Sequence, residues 1–212
     1  MTAIEHGDGG RISAWLWRRI RARSIGTGGK ILQLSAPLVP LFDYPIAEVL
    51  KILPPEDSPE WDKHQHRQQA FAQQRATRSI VVRWLSNDWR PGQAPIVLLS
   101  TRPSPLTLAA DAFAERLRSH FGGVIAKLFL AELPVGGEIP PHRDLAEALT
   151  RSHRCHLPIL TNPDTQMVIG DEAFHLAPGI AYEFDNTRRH GVRNVGETRR
   201  VHLICDILPD GS

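Results

Sequence analysis

His142 and Asp144 stand two residues apart in Pro140-Pro141-His142-Arg143-Asp144, just past the bend Gly136-Gly137, and a further histidine, His190, follows downstream. On extended chain, residues two apart project from the same face, so this imidazole and carboxylate can converge on one point. Two histidines and one carboxylate on one side of a metal, with positions left open opposite, form the ligand set of non-haem Fe(II) oxygenases. A His-x-Asp pair alone is common by chance, so the reading depends on what accompanies it. Arg200 accompanies it, at the start of the apolar run Val201-His202-Leu203-Ile204-Cys205. A guanidinium at the start of a buried strand needs an anion, because an unpaired buried charge is costly. Either an internal acid such as Asp206 serves, or an external one does. A small dicarboxylate such as 2-oxoglutarate, chelating iron at one end, would offer its distal carboxylate to the Arg200 fork.

Other polar residues are weaker candidates. Arg154 and His156 share one face of a predicted strand and both could reach anions inside a barrel. Asn186, Asn194 and His202 could orient ligands through outer hydrogen bonds, although ordinary structural bonding is the simpler account of each. His64 and His66 fall on a predicted helix, where residues two apart face different directions and do not share a metal easily.

The elements that must position these groups are short strands. β-branched and apolar runs bounded by turn residues predict strands at Ser79–Leu85, Pro95–Ser100, Ile125–Leu133, His153–Leu160, Thr165–Ile169, Ala173–Leu176, Ile180–Phe184 and Arg199–Ile207. The turns include Asn162-Pro163-Asp164, Pro178-Gly179 and Asn194-Val195-Gly196. Strands so spaced suggest a β-sandwich or jelly roll. Ser104-Pro105 caps the clearest helix, whose Leu106, Phe113, Leu117 and Phe121 recur on one face until Gly122-Gly123 ends it. It should brace the outside of a sheet. Ser58-Pro59 repeats the cap signal and predicts a helix to about Gln74, after a two-turn helix from Ile46 to Leu53. Residues 31–44, broken by Pro37 and Pro40, read as short strands or extended chain.

The N-terminal 29 residues read as an extension, with a basic amphipathic helix over 11–24 and a Gly-rich linker. The domain proper is placed at 30–212, within the size of a single domain. A net charge of +2 and the lack of a compact Lys/Arg run give no case for nucleic acid. Phosphate-loop and dinucleotide glycine patterns are missing. No apolar run is long enough to span a bilayer, and a cytoplasmic location is the default. Cys155 and Cys205 read as buried free thiols rather than a disulfide framework.

Several ordered segments together resemble the aspartyl/asparaginyl β-hydroxylase family of Fe(II)/2-oxoglutarate dioxygenases, over roughly residues 120–208. They are Leu133-Pro134-Val135-Gly136 leading to Pro141-His142, Arg154-Cys155-His156-Leu157-Pro158, Pro178-Gly179, Glu183-Phe184-Asp185-Asn186, His190-Gly191-Val192 with Asn194, and Arg200-Val201-His202-Leu203-Ile204-Cys205-Asp206. A weaker echo lies in Arg67-Gln68 and Thr77-Arg78-Ser79-Ile80. The resemblance implies a double-stranded β-helix (a cupin-like jelly roll) with bracing helices from the N-terminal half. It implies that His142 and His190, with Asp144, bind Fe(II), that Arg200 holds 2-oxoglutarate, and that Arg154 and His156 support the cosubstrate or the substrate. The implied reaction uses O2 to hydroxylate an amino-acid-like unit, free or in a peptide or conjugate, as 2-oxoglutarate becomes succinate. Asp144 stands where the animal enzymes have glycine, which places the chain with full-triad bacterial members. A serine that helps hold the cosubstrate in the animal enzymes falls at Ala131. A cupin-like Zn or Mn isomerase or hydrolase, and a non-catalytic metal-binding regulator of the same fold, are the alternatives. Substrate and oligomeric state are not given by the sequence.

Overall fold

The computed structural model describes residues 31–99 and 102–212. The predicted basic helix over 11–24 and the linker after it lie outside the described residues. Eleven strands occur among those described: β1 (Leu38–Asp43), β2 (Arg78–Leu85), β3 (Val97–Leu99), β4 (Val124–Leu133), β5 (Glu138–His142), β6 (His153–Leu160), β7 (Thr165–Ile169), β8 (Glu172–Phe174), β9 (Ile180–Phe184), β10 (His190–Asn194) and β11 (Arg200–Leu208). They form a seven-stranded sheet in the order β1-β9-β6-β11-β4-β2-β3 and a four-stranded sheet in the order β5-β10-β7-β8, with every pairing antiparallel. From β4 onward the chain passes back and forth between the two sheets, which is the winding of a double-stranded β-helix, or jelly roll. β1, β2 and β3 widen the larger sheet at its edges.

Register places the interior side chains in rows across the large sheet. Trp84, Lys127, Asp206 and Arg154 are successive cross-strand partners over β2, β4, β11 and β6. The next row holds Val81, Phe129, Ile204 and His156, and the next Ser79, Ala131, His202 and Pro158. Arg200 opposite Leu133 lies beyond these. The other face of the sheet is apolar and packs on the helix α3 (Pro105–Phe121) through Phe113, Leu117, Leu128, Leu203 and Ile207. Each fully buried side chain of that kind contributes roughly 1.5–3 kcal/mol. The α3 helix begins as expected: the Ser104 hydroxyl accepts from the Thr107 N–H and the Thr107 hydroxyl accepts from the Ser104 N–H. It ends at Gly122, whose φ of +78° only glycine adopts freely.

Three expectations are corrected. The helix expected from Ser58 to Gln74 is broken into a 3₁₀ turn (Pro59–Asp62), a short helix α2 (His66–Ala70) and a second 3₁₀ turn (Ala72–Gln74). Tertiary anchors override propensity here. Trp61 is 1% exposed with its indole N–H on the Pro55 carbonyl, and buried Arg67 reaches Ser79 and Gln74. The strand expected at Ala173–Leu176 lies at Glu172–Phe174, with Leu176 buried just after it. His190, downstream of the expected strand Ile180–Phe184, itself opens a further strand, β10, and neither β10 nor β5 was expected. The two-turn helix near Ile46–Leu53 forms as α1 (Ala47–Ile52), and the connection after Asp144 contains the single-turn helix α4 (Glu147–Thr150). Cys155 and Cys205 are buried free thiols.

Candidate active site

β5 and β10 bring the first two groups together. His142 closes β5, His190 opens β10, and the two are direct cross-strand partners with ring centroids 4.4 Å apart. Gly191 makes the pairing possible, since a Cβ there would meet the Ile139 carbonyl oxygen at 2.9 Å. Each histidine has Nδ1 at a backbone carbonyl, His142 on Pro140 at 2.8 Å and His190 on Arg188 at 2.9 Å. A carbonyl only accepts, so Nδ1 carries the proton in each ring and the Nε2 lone pair is left to bind. The Nε2 of His142 is 3.9 Å from Asp144 Oδ1. One ligand atom from each of His142, Asp144 and His190 lies within 4.8 Å of the others, a spacing a single ion can bridge.

The carboxylate is held from behind. Asp144 Oδ2 accepts from Arg154 Nη1 at 2.7 Å and from Asn186 Nδ2 at 3.3 Å, which turns Oδ1 to the histidines. Asn186 also donates to the Leu149 carbonyl, and its own carbonyl accepts from the Asp144 N–H. Burial pushes the Asp144 carboxyl upward, but Arg154, His190 and the Asn186 bond outweigh it and hold it below the usual carboxylate range. Burial draws His190 downward against the pull of Asp144, which favours a neutral imidazole. An ionised carboxylate beside a neutral imidazole is a pairing that suits a divalent metal.

Arg154, expected to reach an external anion, holds two of the protein's own. Its Nε and Nη2 grip Asp206 at 2.8 and 2.9 Å while Nη1 reaches Asp144. Burial opposes its charge, yet the carboxylates, Asp206 foremost, raise its pKa.

Arg200 is the opposite case. It is 2% exposed and no carboxylate pairs with it among the described residues. Its Nη2 donates to His202 Nδ1 at 2.6 Å, and its Nε has no partner. His202 Nδ1 lies 3.3 Å from His156 Nδ1, and Nε2 of both rings is also unpartnered. Burial and then Arg200 push both imidazoles well below their ordinary range, and burial pulls Arg200 itself down to about 9. Because His202 Nδ1 accepts from Arg200, His202 Nε2 carries the proton, so two buried donors, it and Arg200 Nε, lack a partner among the described residues, which suits an anion. Ala131, beside His202, offers no polar atom, and the hydroxyl of Ser79 across from it is engaged by Arg67 and Gln68. Asn194 ties loops together, donating to the Leu133, Pro134 and Thr198 carbonyls.

A cavity of about 590 Å³ adjoins Asp144 and Arg154. Its lining includes Arg67, Trp84 and Lys127, which were read from the sequence only as parts of elements or as a faint family echo. A lone lysine in the apolar run of β4 was the available signal for Lys127.

The site and the winding thus define a class: a jelly-roll protein with two histidines and a carboxylate gathered at one end of the barrel. The chain belongs to the aspartyl/asparaginyl beta-hydroxylase family, whose model matches residues 104–209, half of its length, and it is accordingly a hydroxylase-type oxidoreductase. No curated protein sequence matches it. Similar solved structures include an oxidoreductase of the 2OG-Fe(II) oxygenase family from Burkholderia pseudomallei, at 16% identity and TM-score 0.47 over 64% of this chain and 69% of that one. A Pseudomonas putida prolyl-4-hydroxylase is similar at 15% identity and TM-score 0.49, over 84% of this chain and 95% of that one. A cupin domain from Bordetella pertussis is similar at 23% identity and TM-score 0.32, over 38% of this chain and 79% of that one. Among the described residues, no helix is long and apolar enough to cross a membrane.

Proposed function

We propose that the protein is an Fe(II)/2-oxoglutarate-dependent dioxygenase that hydroxylates an amino-acid-like unit. The observation that carries this is Arg200, a buried guanidinium with no internal anion among the described residues, in a barrel whose mouth holds His142, Asp144 and His190. His142 and His190 would bind iron through Nε2 and Asp144 through Oδ1. Arg200, with His202 and His156, would take the distal carboxylate of 2-oxoglutarate. Bound together, iron and 2-oxoglutarate supply O2 activation coupled to decarboxylation, giving succinate.

The chain's own residues do the positioning. The Pro140 and Arg188 carbonyls fix the histidine tautomers, and Arg154 with Asn186 fixes the carboxylate. Thr165, Met167 and Val192 surround Arg200 and His202 at a cavity of about 10 Å³. That is room for a water rather than a carboxylate. The lining must therefore give on binding, and unbranched Met167 is its most adaptable member. A Zn or Mn hydrolase or isomerase would leave Arg200 without a function.

The test is 2-oxoglutarate conversion to succinate by iron-loaded protein, with and without EDTA, over a panel of amino acids, dipeptides and N-acyl conjugates. Iron-dependent succinate formation and a product heavier by one oxygen are expected. Asp144→Ala should abolish both, with iron affinity reduced at least about a hundredfold, beyond the loss typical of an outer-shell change. Protein that binds neither iron nor 2-oxoglutarate would overturn the proposal.

A further inference from the structure

Lys127 is the one lysine of β4, and its ammonium sits 4.5 Å from the centre of the Trp84 ring. It makes no ion pair with any described carboxylate. Its cross-strand neighbour Asp206 has both oxygens on Arg154. Arg67, on α2, has the same deficit: its guanidinium lies 4.3 Å over Phe129 and, among the described residues, bonds only the neutral Ser79 and Gln74. Both cations line the 590 Å³ cavity that reaches Asp144. Burial draws Lys127 down to about 8 and Arg67 down to about 10, as expected of cations lacking an anion.

Apolar and aromatic side chains, Trp84, Trp89, Phe129 and Leu149, share the cavity wall with polar and charged ones that include Gln74, Arg90, Arg143 and Glu147. At its mouth Phe71 is 48% and Leu145 80% exposed, large apolar side chains that no part of the described chain covers. A cavity with cations on one wall and an uncovered apolar rim fits an amphiphilic acid.

We propose that Lys127, backed by Arg67, is the specificity-determining contact for a carboxylate of the substrate, and that the substrate is an N-acyl or N-aroyl amino acid whose apolar body lies on Trp84, Phe71 and Leu145. This subsite is separate from Arg200, which lies at the far end of the same sheet face, and from Arg154, whose guanidinium is held by Asp144 and Asp206. The assignment of a substrate rests on the hydroxylase reading above; binding of the acid does not.

The experiment is calorimetric titration of the intact, metal-free protein with hippurate (N-benzoylglycine) and with its neutral amide. Hippurate should bind at least about tenfold more tightly than the amide, the size expected for a charge-assisted hydrogen bond. Lys127→Gln should remove that preference, Lys127→Arg should keep most of it, and Arg200→Gln should leave it unchanged. His142→Ala should also leave it unchanged, so a failure of iron or cosubstrate binding is distinguishable from a failure of this subsite. Wild-type protein gives a check free of folding effects: hippurate affinity should fall between pH 7 and pH 9.5 as Lys127 loses its proton. The groups facing Lys127 are Asp206, Arg154, Asp144 and Arg67, with His66 near Trp84; of the cations, Arg67 at about 10 lies above Lys127 at about 8, and the carboxylates beside Arg154 raise it further. No binding of either compound, equal binding of the two, an unchanged Lys127→Gln, or loss in Arg200→Gln instead would overturn the proposal.

Discussion

The two ends of one sheet face carry two arginines, Arg154 largely and Arg200 fully buried, in opposite electrostatic states. At the metal end Arg154 meets Asp206 and Asp144 in close, partly bidentate bonds, and its charge is reinforced. At the far end Arg200 meets histidines that burial and its own charge keep neutral, and no acid among the described residues. Burial alone therefore does not tell a structural cation from a binding cation; the complement of carboxylates does. An arginine already paired fixes the geometry of its neighbours. An arginine left unpaired stores free energy that an incoming anion releases.

The largest way to break the contrast is Arg154→Met. It strands two buried carboxylates, so we expect a loss of about 3–5 kcal/mol in chemical denaturation, together with weakened metal binding. Wild-type stability in that variant would mean that the Asp206–Arg154–Asp144 bridge is not the strut it looks like. Arg200→Met should do the reverse. Removing an unpaired buried cation should leave stability unchanged or raise it by about 1–4 kcal/mol, while 2-oxoglutarate turnover disappears. Destabilisation in denaturant melts would show that Arg200 has a structural partner after all.

The smallest effect is a pH slope. His156 and His202 are held well below their unfolded pKa, so from about pH 6.5 downward the unfolded chain binds protons that the folded chain refuses. Stability must then fall as pH falls, by up to about 1.4 kcal/mol per pH unit for each histidine. His190 adds in the same direction. Denaturant melts of ligand-free protein between pH 6.5 and pH 5 should show this, with a shallower slope in His202→Asn.

Much of the fold was legible because its strands are β-branched, alternate or sit between turn residues. His153–Leu160, Thr165–Ile169 and Ile180–Phe184 fall where the pattern puts them, and the Ser104-Pro105 cap and Gly122 bound α3 as read. The two strands that carry the histidines were not legible. β5 contains Pro140-Pro141, which argues against a strand, and is tolerated because β5 lies at the edge of its sheet. β10 contains His190, Gly191, Arg193 and Asn194, so its polarity hides a strand buried by its position between β5 and β7.

By itself the sequence determined the residue types: two histidines and an aspartate that can converge, an arginine opening an apolar strand, and the segments that resemble the hydroxylase family. Only the tertiary structure decided who pairs with whom. Arg200 and Asp206 share a face of β11 but stand six residues apart, which is about 20 Å of extended chain and beyond the reach of an ion pair. Cross-strand register instead sets Asp206 directly opposite Arg154, and it leaves Arg200 with histidines and Lys127 with an indole. Hydrogen-bond register between strands distant in sequence is set by the packing of the whole barrel, and local composition does not encode it.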